Sequence, residues 1–245
     1  MFWQEYGKNE ILVMMLSLLV MVGITFLLWL FLHKKDRKTR NIPLVVITVL
    51  LLGLEIAKQV VSLCEPTYDY YAIPMHFCSL FLYFFPLAVF FKGKVQRFGL
   101  TMSLVCSAWL FVLLYWNPCP IIGFSPTHVF ENFSNFHTFI YHHLAVLFSL
   151  VSLSLNMYNI DKWSFLHVII GISVYAAIAI PLSYAVNVNF CNLLESNIPF
   201  MENFRQSAGQ VVYLICMWLI GIGGGFVVCG GYIVIKKLVT LKIKK

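Results

Sequence analysis

Residues 11–32 read ILVMMLSLLVMVGITFLLWLFL, and residues 33–40, which follow, read HKKDRKTR. A helix crosses the hydrocarbon core of a bilayer with about 20 apolar residues, so the first stretch is long enough to span. The second packs Lys34, Lys35, Arg37, Lys38 and Arg40 into one short segment. A cleaved signal peptide has the opposite order, with its charges ahead of a shorter apolar core. The first helix is therefore expected to stay in the protein, with its basic flank on the cytoplasmic side.

The same alternation continues along the chain. Apolar stretches recur at roughly 43–64, 73–91, 98–116, 135–155, 162–187 and 208–236, each about long enough for one crossing. The 245 residues are 60% hydrophobic and 11% charged, with mean hydropathy +0.84. A soluble domain carries about 25% charged residues, so this balance excludes an ordinary globule, and its apolar content excludes disorder. The stretches are continuously apolar rather than alternating, which excludes a β-barrel. A net charge of +7 suggests nucleic acid at first sight, but the charge lies in short runs beside apolar segments, and no nucleic-acid partner is expected. With the N-terminus outside, fourteen of the seventeen basic residues fall on inner segments. Glu5, Glu10, Glu65, Asp69, Glu131, Glu195 and Glu202 fall outside. The expected fold is all-α: a single domain over 1–245 with seven transmembrane helices, N-out and C-in, in a multi-pass protein of a cell membrane.

Smaller features refine this outline. Pro43 and Pro74 stand near the starts of the second and third stretches, while Pro86 and Pro181 fall inside spans and predict kinks. Gly221, Gly223, Gly224 and Gly225 point to close helix packing or a local break in the last span. No internal repeat is evident, which argues against a transporter built from inverted halves. The longest loops, about 117–134 and 188–207, both lie outside and are expected to cap something.

The polar residues are unevenly placed. At about 1.5 Å per residue, Glu55, Lys58, His76, Cys78, His142 and His143 lie about 5–15 Å below the outer surface. Asn187 and Asn189 close the sixth span on that side, and Ser207 and Gln210 open the seventh. Ionisable groups in a bilayer are costly, so this clustering points to a polar cavity open to the outside. Glu55 and Lys58, spaced i and i+3, either neutralise each other or serve that cavity. His142 and His143 diverge by about 100° on a helix and cannot easily share an ion, so no metal site is expected. Of the seven cysteines, Cys106, Cys216 and Cys229 sit in apolar runs and read as small buried hydrophobes. Cys119 and Cys191 lie on the two long outer loops, where a disulfide between them is expected. Cys78 differs, lying in the polar belt at the depth of the histidines. A thiol beside a base becomes a thiolate nucleophile near neutral pH. His76 points away from it around the helix, so the base is expected from another helix, with His142 or His143 the candidate.

The stretch Ile73-Pro74-Met75-His76-Phe77-Cys78-Ser79 resembles the Leu-Pro-Leu-His-Leu-Cys pattern of the YwaF family, seven-helix membrane proteins related to the animal transmembrane protein 164. The aromatic-His stretch from His137 to His143 occupies a similar place to one in that family. Asn187-Val188-Asn189-Phe190 followed by Pro199 looks like its Asn-x-Asn-Tyr…Pro element. The departures are Met75, Phe190 and the doubled histidine. The resemblance covers most of the chain in span number and motif order, and implies an enzyme of acyl transfer on membrane lipid with a Cys nucleophile and a His base.

The expected function is therefore a lipid acyltransferase or fatty-ester hydrolase, with a membrane phospholipid or acyl ester as partner and no cofactor. Cys78 attacks an ester carbonyl and His143 or His142 shuttles the proton, His143 being the choice that aligns with the resemblance. His76, Lys58, Glu55, Asn187, Asn189 and Gln210 are the candidate substrate-binding and oxyanion residues. The alternative is a small-molecule or proton-coupled transporter or receptor that uses the same polar residues.

Overall fold

The computed structural model describes residues 7–116, 119–196 and 198–243, and every regular element among them is helical. The long helices are α1 (Lys8–Leu32), α2 (Arg37–Cys64), α4 (Gly93–Trp116), α6 (Phe133–Ser154), α7 (Lys162–Val186) and α9 (Gln210–Ile243). Three shorter ones are α3 (Phe81–Phe90), α5 (Cys119–Ile122) and α8 (Pro199–Ala208). Six helices are long and apolar enough to cross a membrane.

The stretch expected as an unbroken third span departs from that expectation. Its apolar helix runs only over Phe77–Phe90, beginning as a tight 3-10 turn at Phe77–Leu80 and continuing as α3. At about 1.5 Å per residue it reaches about 20 Å, short of a hydrocarbon core of about 30 Å. Pro74 supplies the reason: it has no N–H to donate and it pushes Ile73 out of the helical region. Ile73 is accordingly extended, at ψ 129°.

Side-chain bonds fix which helix ends lie together. Arg40 donates to the Leu155 carbonyl at 2.8 Å, Arg37 to the Met157 carbonyl at 3.2 Å, and Arg97 pairs with Asp161 at 3.0 Å. The starts of α2, α4 and α7 therefore share one end with the finish of α6, and this end carries most of the basic residues. At the opposite, loop-rich end Ser125 donates to Glu10 and Gln210 to the Leu193 carbonyl. Side-chain caps fix the starts of α2 and α7: Asp36 caps Lys38 and Thr39, and Asp161 forms a reciprocal capping box with Ser164.

α4 and α6 form the centre, with 61% and 67% of their apolar stretches buried, against 11% for α1 and 17% for each of α7 and α9. α6 is central because it carries the polar side chains: His137, His142, His143, Ser149 and Ser152 are all buried. In lipid such groups turn toward protein partners. Small residues allow the close packing. A Cβ at Gly99 would sit 2.5 Å from the Ala88 nitrogen, so only glycine lets α4 lie this near α3. Gly224 and Gly225 face Trp109 and Val168 in the same way, and α9 runs through them unbroken. Close packing is thus what that glycine run serves. Pro86 and Pro181 lie inside α3 and α7, which continue past both.

The loop expected over 188–207 contains α8, which starts at Pro199. Proline at the first helical position is favourable because its missing N–H has no helical partner to lose. Glu202 of α8 accepts from Arg205 and from the Ser196 amide. Those bonds hold its carboxyl down to about 2.

Candidate functional site

Irregular backbone at membrane depth is tolerated only where its polar groups find protein partners. The segment from Ala72 to Cys78 meets this demand with side chains from four helices. Gln59 of α2 donates to the Ala72 carbonyl at 2.7 Å, and Tyr83 of α3 to the Pro74 carbonyl at 3.0 Å. Tyr175 of α7 donates to the Met75 carbonyl at 2.8 Å, and Tyr141 of α6 to the Cys78 carbonyl at 3.3 Å. Cys78, a free and half-buried thiol, is therefore held by a cradle of tyrosines rather than by a regular helix. None of these four supporting residues stands out in the sequence.

Beside this cradle lies a group of charges. Lys58 Nζ is 2.7 Å from Glu55 Oε1, so the i, i+3 pairing anticipated as one option is formed. Gln59 donates to the same oxygen at 2.7 Å and accepts from the Tyr68 hydroxyl at 2.9 Å. The other carboxylate oxygen faces His137, whose Nε2 stands 3.8 Å away, too far for a hydrogen bond. Glu55 and His137 are only 6% and 7% exposed. The polar residues thus form a mostly buried cluster, where the sequence suggested an open cavity.

Two imidazole nitrogens in this region are buried with no hydrogen-bond partner among the described residues: His76 Nε2 and His137 Nε2. Such orphans are rare and demand an explanation. The His76 ring is held between Tyr71, at 4.1 Å between centroids, and Phe190, at 5.0 Å. The His137 ring stacks on Tyr141 at 5.3 Å, and Tyr141 is the residue that binds the Cys78 carbonyl. His137 and Tyr141, four positions apart, share a face of α6 about 40° wide.

The structure does not bring His143 to Cys78. Its Nδ1 bonds the Phe139 carbonyl at 2.7 Å and its Nε2 lies 2.9 Å from the Ser17 hydroxyl of α1. Its ring stacks on Phe139 and meets Tyr115 edge-on. Two positions beyond Tyr141, it points about 160° away from the tyrosine that marks the Cys78 side. His142 lies between the two faces, with Nδ1 on the Thr138 carbonyl at 2.6 Å. Of the three histidines of α6, His137 is the one that shares a helix face with Tyr141, whose hydroxyl bonds the Cys78 carbonyl.

Three residues expected to line the site lie at the loop between α7 and α9. Asn187 ends α7 in the left-handed conformation, at φ 52°. Asn189 donates to the Glu195 carbonyl and accepts from the Leu194 amide. Gln210 donates to the Leu193 carbonyl and accepts from Arg205. Cys191 is a free thiol. Its sulfur lies 2.8 Å from the Tyr175 hydroxyl, and burial pushes the thiol up to about 12. The side chain of Cys119, its expected disulfide partner, lies outside the described residues. Among the described residues, no three His, Cys, Asp or Glu side chains are grouped to hold a metal ion.

A helical membrane protein with a free thiol in a side-chain cradle, beside an orphan imidazole and an ion pair, is the class that this geometry defines. The sequence places it further: residues 5–225 match the TMEM164 family, and the chain belongs to that family. No match was found among curated proteins or among solved structures.

Proposed function

We propose that this protein is a membrane-embedded acyl-transfer enzyme acting on a lipid ester, with Cys78 as nucleophile and His137 as general base. The observation that carries this reading is the orphan Nε2 of His137, buried on the helix face whose tyrosine holds the Cys78 backbone. His137 takes the thiol proton as the sulfur attacks the ester carbonyl, and the C–S bond forms. As the tetrahedral intermediate collapses, the C–O bond breaks and the imidazolium returns the proton to the departing alkoxide. The product is an acyl-thioester on Cys78 and a freed hydroxyl. A lipid hydroxyl, deprotonated by the same imidazole, then reverses the steps; water in its place gives hydrolysis. Glu55 balances the charge on His137, and Lys58 is the available donor for the oxyanion.

This reading is tested with purified protein in vesicles that hold a phospholipid with a labelled acyl chain and a lysophospholipid acceptor. Label is expected to move to the acceptor or to free fatty acid, and the Cys78→Ala variant is expected to lose at least about 100-fold of that rate. A wild-type protein with no acyl turnover, or a variant at full rate, contradicts it.

We also infer that α3 and the segment before it form the seventh crossing, with the basic end in the cytoplasm. A membrane-impermeant maleimide added to intact cells is expected to label exposed Cys64, at the end of α2. Labelling of Cys64 only after permeabilisation reverses the orientation.

A further inference from the structure

A cavity lies at the other end of the molecule from Cys78. About 910 Å³ in volume, it lies where the starts of α2 and α4 meet the finish of α3 and the connection from α6 to α7. A volume of roughly 300–1,000 Å³ is typical of sites for small organic ligands. Arg37, Lys38, Lys92, Lys94 and Arg97 line it. The amino end of α4, positive by its helix dipole, opens into it at Gly93.

The charge balance here is one-sided. Arg97 is neutralised by Asp161, and Arg37 is tied to the Met157 carbonyl. Asp36, the other carboxylate nearby in sequence, is occupied in capping α2. Among the described residues, no carboxylate pairs with Lys38, Lys92 or Lys94, and all three are exposed. The positive-inside tendency explains basic residues at this end of the bundle, but it does not require them to ring a cavity. One wall is apolar: Val89, Phe90, Phe91, Leu100 and Met157. Phe90 and Phe91 are 52% and 49% exposed, so the cavity is continuous with the surface that meets lipid chains.

We propose that this cavity binds the phosphate of an anionic phospholipid, with the three unpaired lysines around the headgroup and the Phe90–Phe91 wall against the start of an acyl chain. Cations without carboxylate partners supply the charge, and a cluster of basic groups at a membrane surface attracts anionic lipid. The apolar wall favours a lipid phosphate over a soluble one. This site is separate from the acyl-transfer site and does not depend on that reading.

The test uses the full chain in mild detergent, with lipid retention read by native mass spectrometry and thermal stability read alongside. Dioleoylphosphatidylglycerol is compared with dioleoylphosphatidylcholine and with inorganic phosphate at millimolar concentration. Phosphatidylglycerol is expected to bind at least about 10-fold more tightly than phosphatidylcholine, because each nearby lysine adds attraction. The triple variant Lys38→Gln, Lys92→Gln, Lys94→Gln is expected to lose that preference and keep its fold, since none of the three lysines holds an ion pair. A control triple at the same end but outside the cavity, Lys34→Gln, Lys35→Gln, Lys162→Gln, is expected to keep it. Equal loss in both triples overturns the proposal in favour of diffuse charge. No preference in the wild type overturns it outright, and stabilisation by inorganic phosphate equal to that by lipid overturns the lipid source.

Discussion

Replacing His137 with glutamine is expected to slow acyl turnover by about 100-fold or more, while His143→Gln leaves the rate per folded molecule within a few-fold of wild type. The contrast follows from where the two rings point. His137 Nε2 is buried without a partner, so its free acceptor position remains for a proton. His143 has both nitrogens engaged, one on the Phe139 carbonyl and one at the Ser17 hydroxyl. Its loss therefore shows in stability, at about 1–3 kcal/mol, because Ser17 and the Phe139 carbonyl lose a partner inside the bundle. The two effects are separated by measuring turnover and thermal midpoint on the same preparations. Loss of turnover from His143→Gln with a normal midpoint, and none from His137→Gln, sinks the assignment.

The second large effect concerns the ion pair. Glu55→Leu alone is expected to destabilise the protein by about 3–5 kcal/mol, because it leaves the Lys58 ammonium and the Gln59 amide without their acceptor. The double variant Glu55→Leu, Lys58→Met removes both charges and is expected to recover most of that stability, since breaking a buried pair costs far more than replacing it with apolar groups. It should still lose at least about 100-fold in turnover, the range for removing one oxyanion donor. Thermal midpoints of the three proteins decide the first point and vesicle assays the second. A single variant as stable as wild type, or a double variant at full rate, contradicts the role given to the pair.

How much of this was legible in the sequence depended on distance along the chain. Six long spans follow from length and apolarity alone. The third stretch reads as one apolar span, yet helix covers only Phe77–Phe90 of it, because an apolar run does not reveal whether its backbone is helical. Once that segment is irregular, its carbonyls need partners, and Gln59, Tyr83, Tyr141 and Tyr175 supply them from positions up to 100 residues away. No local signal marks a tyrosine as such a donor. The uneven placement of Cys78 and the histidines is readable from the sequence, but the helix face that each histidine uses is not. The doubled His142–His143 stands out in the sequence, whereas the reading proposed above rests on the helical face that His137 shares with Tyr141. Asn189 and Gln210 look like site residues by depth, yet the turns of the loop use their amides.

The central claim is that Cys78 carries the acyl group. Its most direct test is the intact mass of purified protein, acid-quenched after brief incubation with a phospholipid of a single acyl-chain type, followed by peptide mapping. The predicted result is one acyl chain added on the peptide that contains Cys78, released by neutral hydroxylamine and absent from Cys78→Ser. Turnover of the lipid with the acyl group on a different residue, or undiminished turnover in Cys78→Ser, contradicts the account.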